Sequence, residues 1–93
     1  MGIIVSIPGA LQPYAGGRSE VALDARCGTV GEVLCALAGR HAGVVDRVMD
    51  ERGEVRRHVN VFVDGDNIRF LDGLRTAVGE SSTIVIVPAV SGG

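Results

Sequence analysis

The sequence predicts a small α+β domain in which a mixed sheet of four to five strands packs on one main helix. Short runs near both ends of the chain alternate apolar and polar residues, which is the pattern of half-buried strands. One segment between them instead spaces its apolar residues as an amphipathic helix does. With 93 residues, 46% of them hydrophobic, the chain is long enough for one such domain.

Two strands are predicted in the N-terminal part of the chain. Residues 3–7 read IIVSI and residues 20–25 read EVALDA, and both runs alternate strongly apolar residues with less apolar ones. The segment between them, residues 8–17, is rich in glycine and proline and predicts a turn-rich loop. The two strands are therefore expected to form a hairpin.

The main helix is predicted to begin at Thr29. Thr29 and Glu32 form the pattern of a capping box, which satisfies the first free amides of a helix. The apolar stripe that follows comprises Val30, Val33, Leu34, Leu37 and Ala38. Gly39 or Gly43 can end the helix, and residues 42–50 predict a short second helical turn.

The C-terminal half predicts strands at residues 58–63 and 83–87, with a turn at residues 64–66 and a short strand after it. The first and last strands are the most hydrophobic, so they are expected to be central and adjacent. This arrangement is the ubiquitin-like β-grasp, although the pattern alone leaves a ferredoxin-like split open. The domain is expected to cover residues 1–87, and a flexible tail residues 88–93.

Composition argues against several functions. The net charge is −2, no basic stripe is present and aromatic residues make up only 3%, which disfavours nucleic-acid binding. No apolar run is long enough for a membrane span and no signal-peptide pattern is present, so a cytoplasmic protein is expected. All nine cationic residues are arginine, so the chain offers no lysine for isopeptide attachment.

Isolated polar residues are interpreted as structural rather than catalytic. Cys27 and Cys35 are too widely spaced for a redox or zinc pair. Cys35 is predicted to be a semi-buried filler, whereas Cys27 could be exposed and could relay sulfur. Three aspartates, Asp64, Asp66 and Asp72, are interpreted as turn residues and not as a metal site.

The two histidines are predicted to lie at the surface, as is the segment 56–58; they are His41 and His58. Neither a catalytic set nor a bound cofactor is expected.

The C-terminal third resembles a known family. The stretch VNVFVDGDNIRF, the later GL and the final PAVSGG are similar to the ubiquitin-like sulfur carriers that include ThiS and MoaD. PAV in place of PPV, together with the extra segment 42–57, favours the CysO-like branch, which serves cysteine biosynthesis. The resemblance covers residues 59–93 well and the N-terminal half only in pattern.

The resemblance implies that the carboxylate of Gly93 is adenylated with ATP and then converted to a thiocarboxylate that donates sulfur. Gly92 and Gly93 lack the Cβ that would crowd a narrow channel, and an extended tail reaches about 16–18 Å. The segment expected to enter the partner's active site comprises Ala89, Val90, Ser91, Gly92 and Gly93.

The same resemblance implies several partners. They are an adenylyltransferase of the ubiquitin-activating type, a sulfur source and a sulfur-incorporating acceptor enzyme. A metalloprotease that trims the product off the tail is a further alternative partner. Two other functions stay open: a protein modifier that is joined to lysines, and a small subunit of molybdopterin synthase. Strand alternation leaves Ile4, Phe62, Val85 and Val87 on the sheet face opposite the helix, and we predict that this apolar patch contacts the adenylyltransferase.

Overall fold

The computed structural model describes residues 2–24 and 26–88, in which five strands form one mixed sheet beside two α-helices. In chain order the elements are β1 (Ile3–Ser6), β2 (Glu20–Leu23), α1 (Val30–Ala38), α2 (Ala42–Val48), β3 (Val59–Val63), β4 (Asp66–Asn67) and β5 (Thr83–Pro88). Within these residues, no helix has the length and apolar character that a membrane span requires.

The sheet order is β2-β1-β5-β3-β4. The last strand, β5, lies between β1 and β3; it runs parallel to β1 and antiparallel to β3. The predicted adjacency of the first and last strands is therefore confirmed. This topology is the ubiquitin-like β-grasp, and it removes the ferredoxin-like alternative.

The hydrophobic core lies between one face of the sheet and the two helices. Alternate residues of four strands point into it, and α1 contributes the predicted stripe except for Ala38, which is only partly buried. The buried strand and helix residues are Ile3, Val5, Val21, Leu23, Val30, Val33, Leu34, Leu37, Val44, Val48, Val59, Val61, Val63, Ile84 and Ile86. The opposite face of the sheet, which we call the outer face, carries the remaining residues of each strand.

The predicted start of α1 is confirmed. The backbone N–H of Glu32 donates to the Thr29 hydroxyl at 3.3 Å, and the N–H of Thr29 donates to the Glu32 carboxylate at 3.2 Å. The helix ends at Gly39, which is one of the two predicted stops. Cys35 is exposed, so its prediction as a semi-buried filler is wrong: each helical residue advances by about 100° around the axis, and position 35 turns away from the core that Leu34 faces.

Several segments are more helical than the sequence predicts. Helix α2 has seven residues instead of a single short turn, and the N-terminal loop contains a 3-10 helix over Gly9–Ala15. Strand β4 has only two residues, because the Asn67 side chain accepts the N–H of Arg69 at 2.9 Å and starts a 3-10 helix over Ile68–Phe70. Local side-chain bonds of this kind compete with strand pairing.

Candidate partner-binding face and root of the tail

Phe62 and Val85 lie directly opposite each other at the centre of the outer face, on β3 and β5. Val87 follows on β5, opposite Asn60. Ile4 belongs to the same face, because its neighbours in β1 point into the core and its partner on β5 is Thr83. The structure thus brings the four residues of the predicted patch onto one face of three adjacent strands.

These four side chains are neither core residues nor fully exposed ones. Ile4, Phe62 and Val85 are half-buried, whereas Val87 is 40% exposed. Because cross-strand neighbours shield one another, an apolar group on a sheet surface keeps only part of its area open to solvent. The patch is consequently a partly accessible apolar surface built on three hydrogen-bonded strands.

A polar pair borders the patch at the edge strand. Asn67 of β4 lies opposite Phe62, and its side-chain amide donates to the Asn60 side-chain oxygen at 3.2 Å. Phe62 is therefore flanked by Val85 on one side and by Asn67 on the other. A large apolar side chain framed by satisfied polar groups has the composition of an interface centre with a polar rim.

The turn between β3 and β4 is tied to the start of β5 by Asp64. Its carboxylate accepts the N–H of Thr83 and the hydroxyl of Ser82, both at 2.9 Å. Asp64 and Gly65 have positive φ angles of 50° and 94°, as the predicted turn requires. Within residues 2–24 and 26–88, no three His, Cys, Asp or Glu side chains are grouped so as to hold a metal ion.

The root of the tail is Pro88, which pairs with Val59 at the end of β5. The register with β1 ends at Val85, so Pro88 lies beside β3 alone, where a residue without an N–H is tolerated. The predicted tail residues Ala89, Val90, Ser91, Gly92 and Gly93 lie outside the described residues. The sheet therefore presents the start of the tail one residue beyond Val87 of the patch.

The two cysteines have different surroundings. Cys27 is half-buried against the core, and its burial, followed by the nearby Glu32 carboxylate and Cys35, raises the pKa of its thiol. A raised pKa lowers the fraction of thiolate, which is the reactive form. This environment does not favour a sulfur relay through Cys27. Cys35 is the exposed thiol of the two.

The histidines also differ. His58 is exposed as predicted, but His41 is half-buried and its Nε2 is buried without a hydrogen-bond partner, so the prediction of a surface position is wrong for His41. Its position follows from the tight connection between the helices, in which the N–H of His41 donates to the Leu37 carbonyl of α1 at 2.7 Å.

A cleft beside the tail root was missed by the sequence analysis. The segment 56–58 is predicted as a solvated edge, yet Arg56 and His58 line this cleft together with Arg47 of α2. Its residues come from four separate parts of the chain, and the sequence gives no signal that these parts meet. The sequence predicts only a short helical turn at residues 42–50, whereas a complete helix over residues 42–48 places Arg47 at the cleft.

Known proteins share this fold and much of the sequence. The ThiS family model matches residues 5–93. The sulfur carrier protein CysO of Mycobacterium tuberculosis is 38% identical over 95 residues, covering 100% of both chains. A chain of the BexX/CysO complex from Amycolatopsis orientalis superposes with a TM-score of 0.88 at 37% identity, covering 98% of this chain and 99% of that one.

A third relative is named as a modifier protein. The crystal structure of SAMP1, a small archaeal modifier protein of Haloferax volcanii, superposes with a TM-score of 0.83 at 30% identity and covers 100% of both chains. The family match reaches from the first strand through residue 93, and the CysO relatives align along their full lengths. The chain therefore belongs to the ThiS family and is a homologue of the CysO sulfur carriers.

Proposed function

We propose that the protein is a sulfur carrier whose Gly93 carboxylate is activated with ATP and converted to a thiocarboxylate. The observation that carries this proposal is the full-length similarity to CysO, which is named a sulfur carrier protein. The family match includes residues 89–93, so it extends over the segment that would carry the chemistry. The β-grasp domain then serves to present that segment to other enzymes.

The chemistry follows from the weakness of a carboxylate as an electrophile. Attack of a carboxylate oxygen of Gly93 on the α-phosphate of ATP forms an acyl adenylate and releases pyrophosphate. Hydrosulfide then attacks the carbonyl carbon, the bond to the phosphate oxygen breaks as AMP leaves, and loss of the S–H proton gives the thiocarboxylate. A thiocarboxylate is ionised at neutral pH and is itself a nucleophile, as activated thiolates are.

The outer face supports the proposal because the strand that contributes to the apolar patch also leads into the tail. Residues of β5 take part in both: Val85 and Val87 contribute to the patch, and Pro88 begins the tail. A partner that docks on the patch formed by Ile4, Phe62, Val85 and Val87 thereby fixes where the tail starts. We propose that the adenylyltransferase uses this patch, with Phe62 as its anchor.

The acceptor is proposed to be a biosynthetic enzyme that incorporates sulfur into cysteine or into another metabolite. The support is the solved complex of an Amycolatopsis orientalis CysO with BexX, in which a related carrier is bound to a second protein. A sulfur carrier acts as a co-substrate, so on this proposal the partner supplies the active site for sulfur transfer.

Activation is tested by ATP–pyrophosphate exchange with the adenylyltransferase encoded in the same genome. The protein ending at Gly93 is expected to stimulate exchange, whereas a variant with one alanine appended after Gly93 is not. The two proteins share the same folded domain, so the comparison isolates the terminal carboxylate. Equal stimulation by both, or stimulation by neither, would contradict the proposal.

Protein modification is a second candidate function, and the similarity to SAMP1 favours it. Its test is a blot of host lysate for ATP-dependent conjugates of the tagged protein. Because the chain contains no lysine, it cannot extend conjugates through its own side chains, and each modified site is expected to carry a single copy. Conjugates that depend on Gly93 would support this function, and their absence under conditions that give exchange would remove it.

A further inference from the structure

A cleft of about 350 Å³ opens beside the root of the tail. Its apolar walls are Leu11 from the N-terminal 3-10 helix, Val59 from β3 and Pro88 from β5. Because Pro88 is both the last residue of β5 and part of the cleft wall, any protein that encloses the tail up to its root must also meet the rim of this cleft.

Two guanidinium groups line the cleft, and neutral partners hold both of them. Arg47 lies over the Tyr14 ring, 3.6 Å from its centroid, and donates to the Gly43 carbonyl at 3.1 Å. Arg56 donates to the Asp46 carbonyl at 3.1 Å. These contacts orient the two side chains before any ligand arrives. The pKa of the Asp50 carboxyl is lowered mainly by the Glu54 backbone hydrogen bond and also by the charge of Arg56, although no ion pair forms between Asp50 and Arg56 in the described chain.

Most of the donor capacity of these groups is unused. A guanidinium carries five N–H donors, and Arg47 and Arg56 each make one hydrogen bond within the described chain. No ion pair joins either group to a carboxylate among residues 2–24 and 26–88. Among the described residues of the lining, Asp46 is the one acidic residue and His58 is the third basic one. The cleft is therefore a positively charged site with an apolar wall, on a protein whose net charge is −2.

We propose that this cleft binds a carboxylate side chain of the activating enzyme, at the mouth of the channel that receives the tail. The inference rests on the proposed function, because it requires the tail to enter a partner. Charge complementarity identifies the occupant: arginine pairs with carboxylates in a planar, two-bond geometry. The nucleotide is a poorer candidate, since an extended tail carries Gly93 about 16–18 Å from Pro88.

The first test is activation kinetics with the double variant Arg47→Gln/Arg56→Gln. The matched control is Arg18→Gln/Arg75→Gln, which removes the same charge from two exposed arginines outside the cleft. We expect kcat/KM for pyrophosphate exchange to fall about tenfold in the cleft variant, with a weaker dependence on salt and little change in kcat. Equal losses in both double variants would overturn the site, as would no loss in either.

The second test needs no partner enzyme. Acetyl-tetraglutamate amide is titrated at low salt into isotope-labelled protein, with tetraglutamine as the neutral control, and the side-chain Nε–H signals of the arginines are followed by NMR. Arg47 and Arg56 are expected to shift with the acidic peptide alone, and Arg18 and Arg75 are not. Uniform shifts of all arginines would mean unspecific screening and would overturn the proposal.

Conversion of the Gly93 carboxylate to an amide separates the partner's carboxylate from the protein's own terminus and adds no new charge at Pro88, which lines the cleft. If the tail's carboxylate occupied the cleft, the amidation would shift the Arg47 and Arg56 signals before any peptide is added and would tighten peptide binding. That result would overturn the proposal; unchanged signals support it. Failure of the natural protein to stimulate exchange contradicts the proposed function, whereas normal exchange by the Arg47→Gln/Arg56→Gln variant contradicts only this inference.

Discussion

The two faces of the sheet are built from alternate residues of the same strands, yet they have different tasks. Ile86 is buried in the core, while Val87 beside it is 40% exposed on the outer face. Val61 is completely buried, while its neighbour Phe62 is half-buried. The inner face is filled by helices of this chain. The outer face is the one that we propose a partner protein covers, so stability and recognition are expected to respond to different substitutions.

The largest effect on the free energy of unfolding is expected at the inner face. Ile86→Ala removes buried methyl groups and leaves a cavity, so it should lower the free energy of unfolding by about 2–5 kcal/mol. Val87→Ala, one residue along the same strand, should cost about 0.5 kcal/mol or less because the site is open to solvent. Chemical denaturation monitored by circular dichroism measures both. Similar losses in the free energy of unfolding at the two positions would contradict the proposed difference between the two faces.

The largest effect on binding is expected at Phe62. Phe62→Ala should weaken binding to the adenylyltransferase by about 1–3 kcal/mol, and Phe62→Asp more, because each removes the anchor of the patch. The second phenylalanine of the chain supplies the control: Phe70 is 86% exposed and lies outside the patch, so Phe70→Ala should leave affinity unchanged.

Titration calorimetry compares the two phenylalanine variants, and circular dichroism verifies that both remain folded. Equal affinities for Phe62→Ala and the natural protein would remove the patch from the binding mechanism. Loss of secondary structure in Phe62→Ala would instead mean that this side chain supports the fold.

A smaller effect is expected at the cap of α1, which positions the helix on the inner face. Thr29→Ala removes the acceptor for the Glu32 N–H and should lower the free energy of unfolding by about 1 kcal/mol. Thr29→Ser keeps a hydroxyl at the same place and should restore most of the loss. If serine fails to restore stability, the hydrogen bond is not the source of the effect.

The smallest effect on the fold is expected at the cysteines. Their reactivity gives a chemical test of the same contrast between a partly buried and an exposed position. Cys35 is exposed, whereas Cys27 is half-buried and burial raises the pKa of its thiol. Iodoacetamide near pH 8 should therefore alkylate Cys35 first, and the rate at Cys27 should continue to rise at higher pH as its thiolate forms. Mass spectrometry of the single variants Cys27→Ser and Cys35→Ser measures each rate. Faster reaction at Cys27 would contradict its described environment.

Much of the fold could be predicted because it depends on local rules. Strand alternation identified which of Phe62 and Val61 faces the core, and the Thr29–Glu32 pattern located the start of α1. Helix α2 was underestimated because it has no side-chain cap and contains Gly43 near its start. That glycine is explained only by tertiary packing, since a Cβ there would approach the Tyr14 ring to 3.2 Å.

The arginine cleft could not be predicted for the same reason. Arg47, Arg56 and Pro88 lie in three segments, and their meeting depends on how α2 packs beside the ends of β3 and β5. Charge counting also failed to identify it, because a net charge of −2 conceals a local positive site. Sequence patterns predict which face of a strand is buried and where a helix begins. A site assembled from distant segments can be identified only from the packed structure.

The central claim is that Gly93 carries the sulfur while the folded domain only presents it. Intact-protein mass spectrometry after incubation with the adenylyltransferase, ATP and a sulfide source tests it most directly. The account predicts that the natural protein gains the mass of one oxygen-to-sulfur exchange and that fragmentation assigns the change to Gly93, whereas the alanine-extended protein stays unmodified. An unchanged mass for the natural protein in a mixture that supports pyrophosphate exchange, or a sulfur located on Cys27 or Cys35, would contradict it.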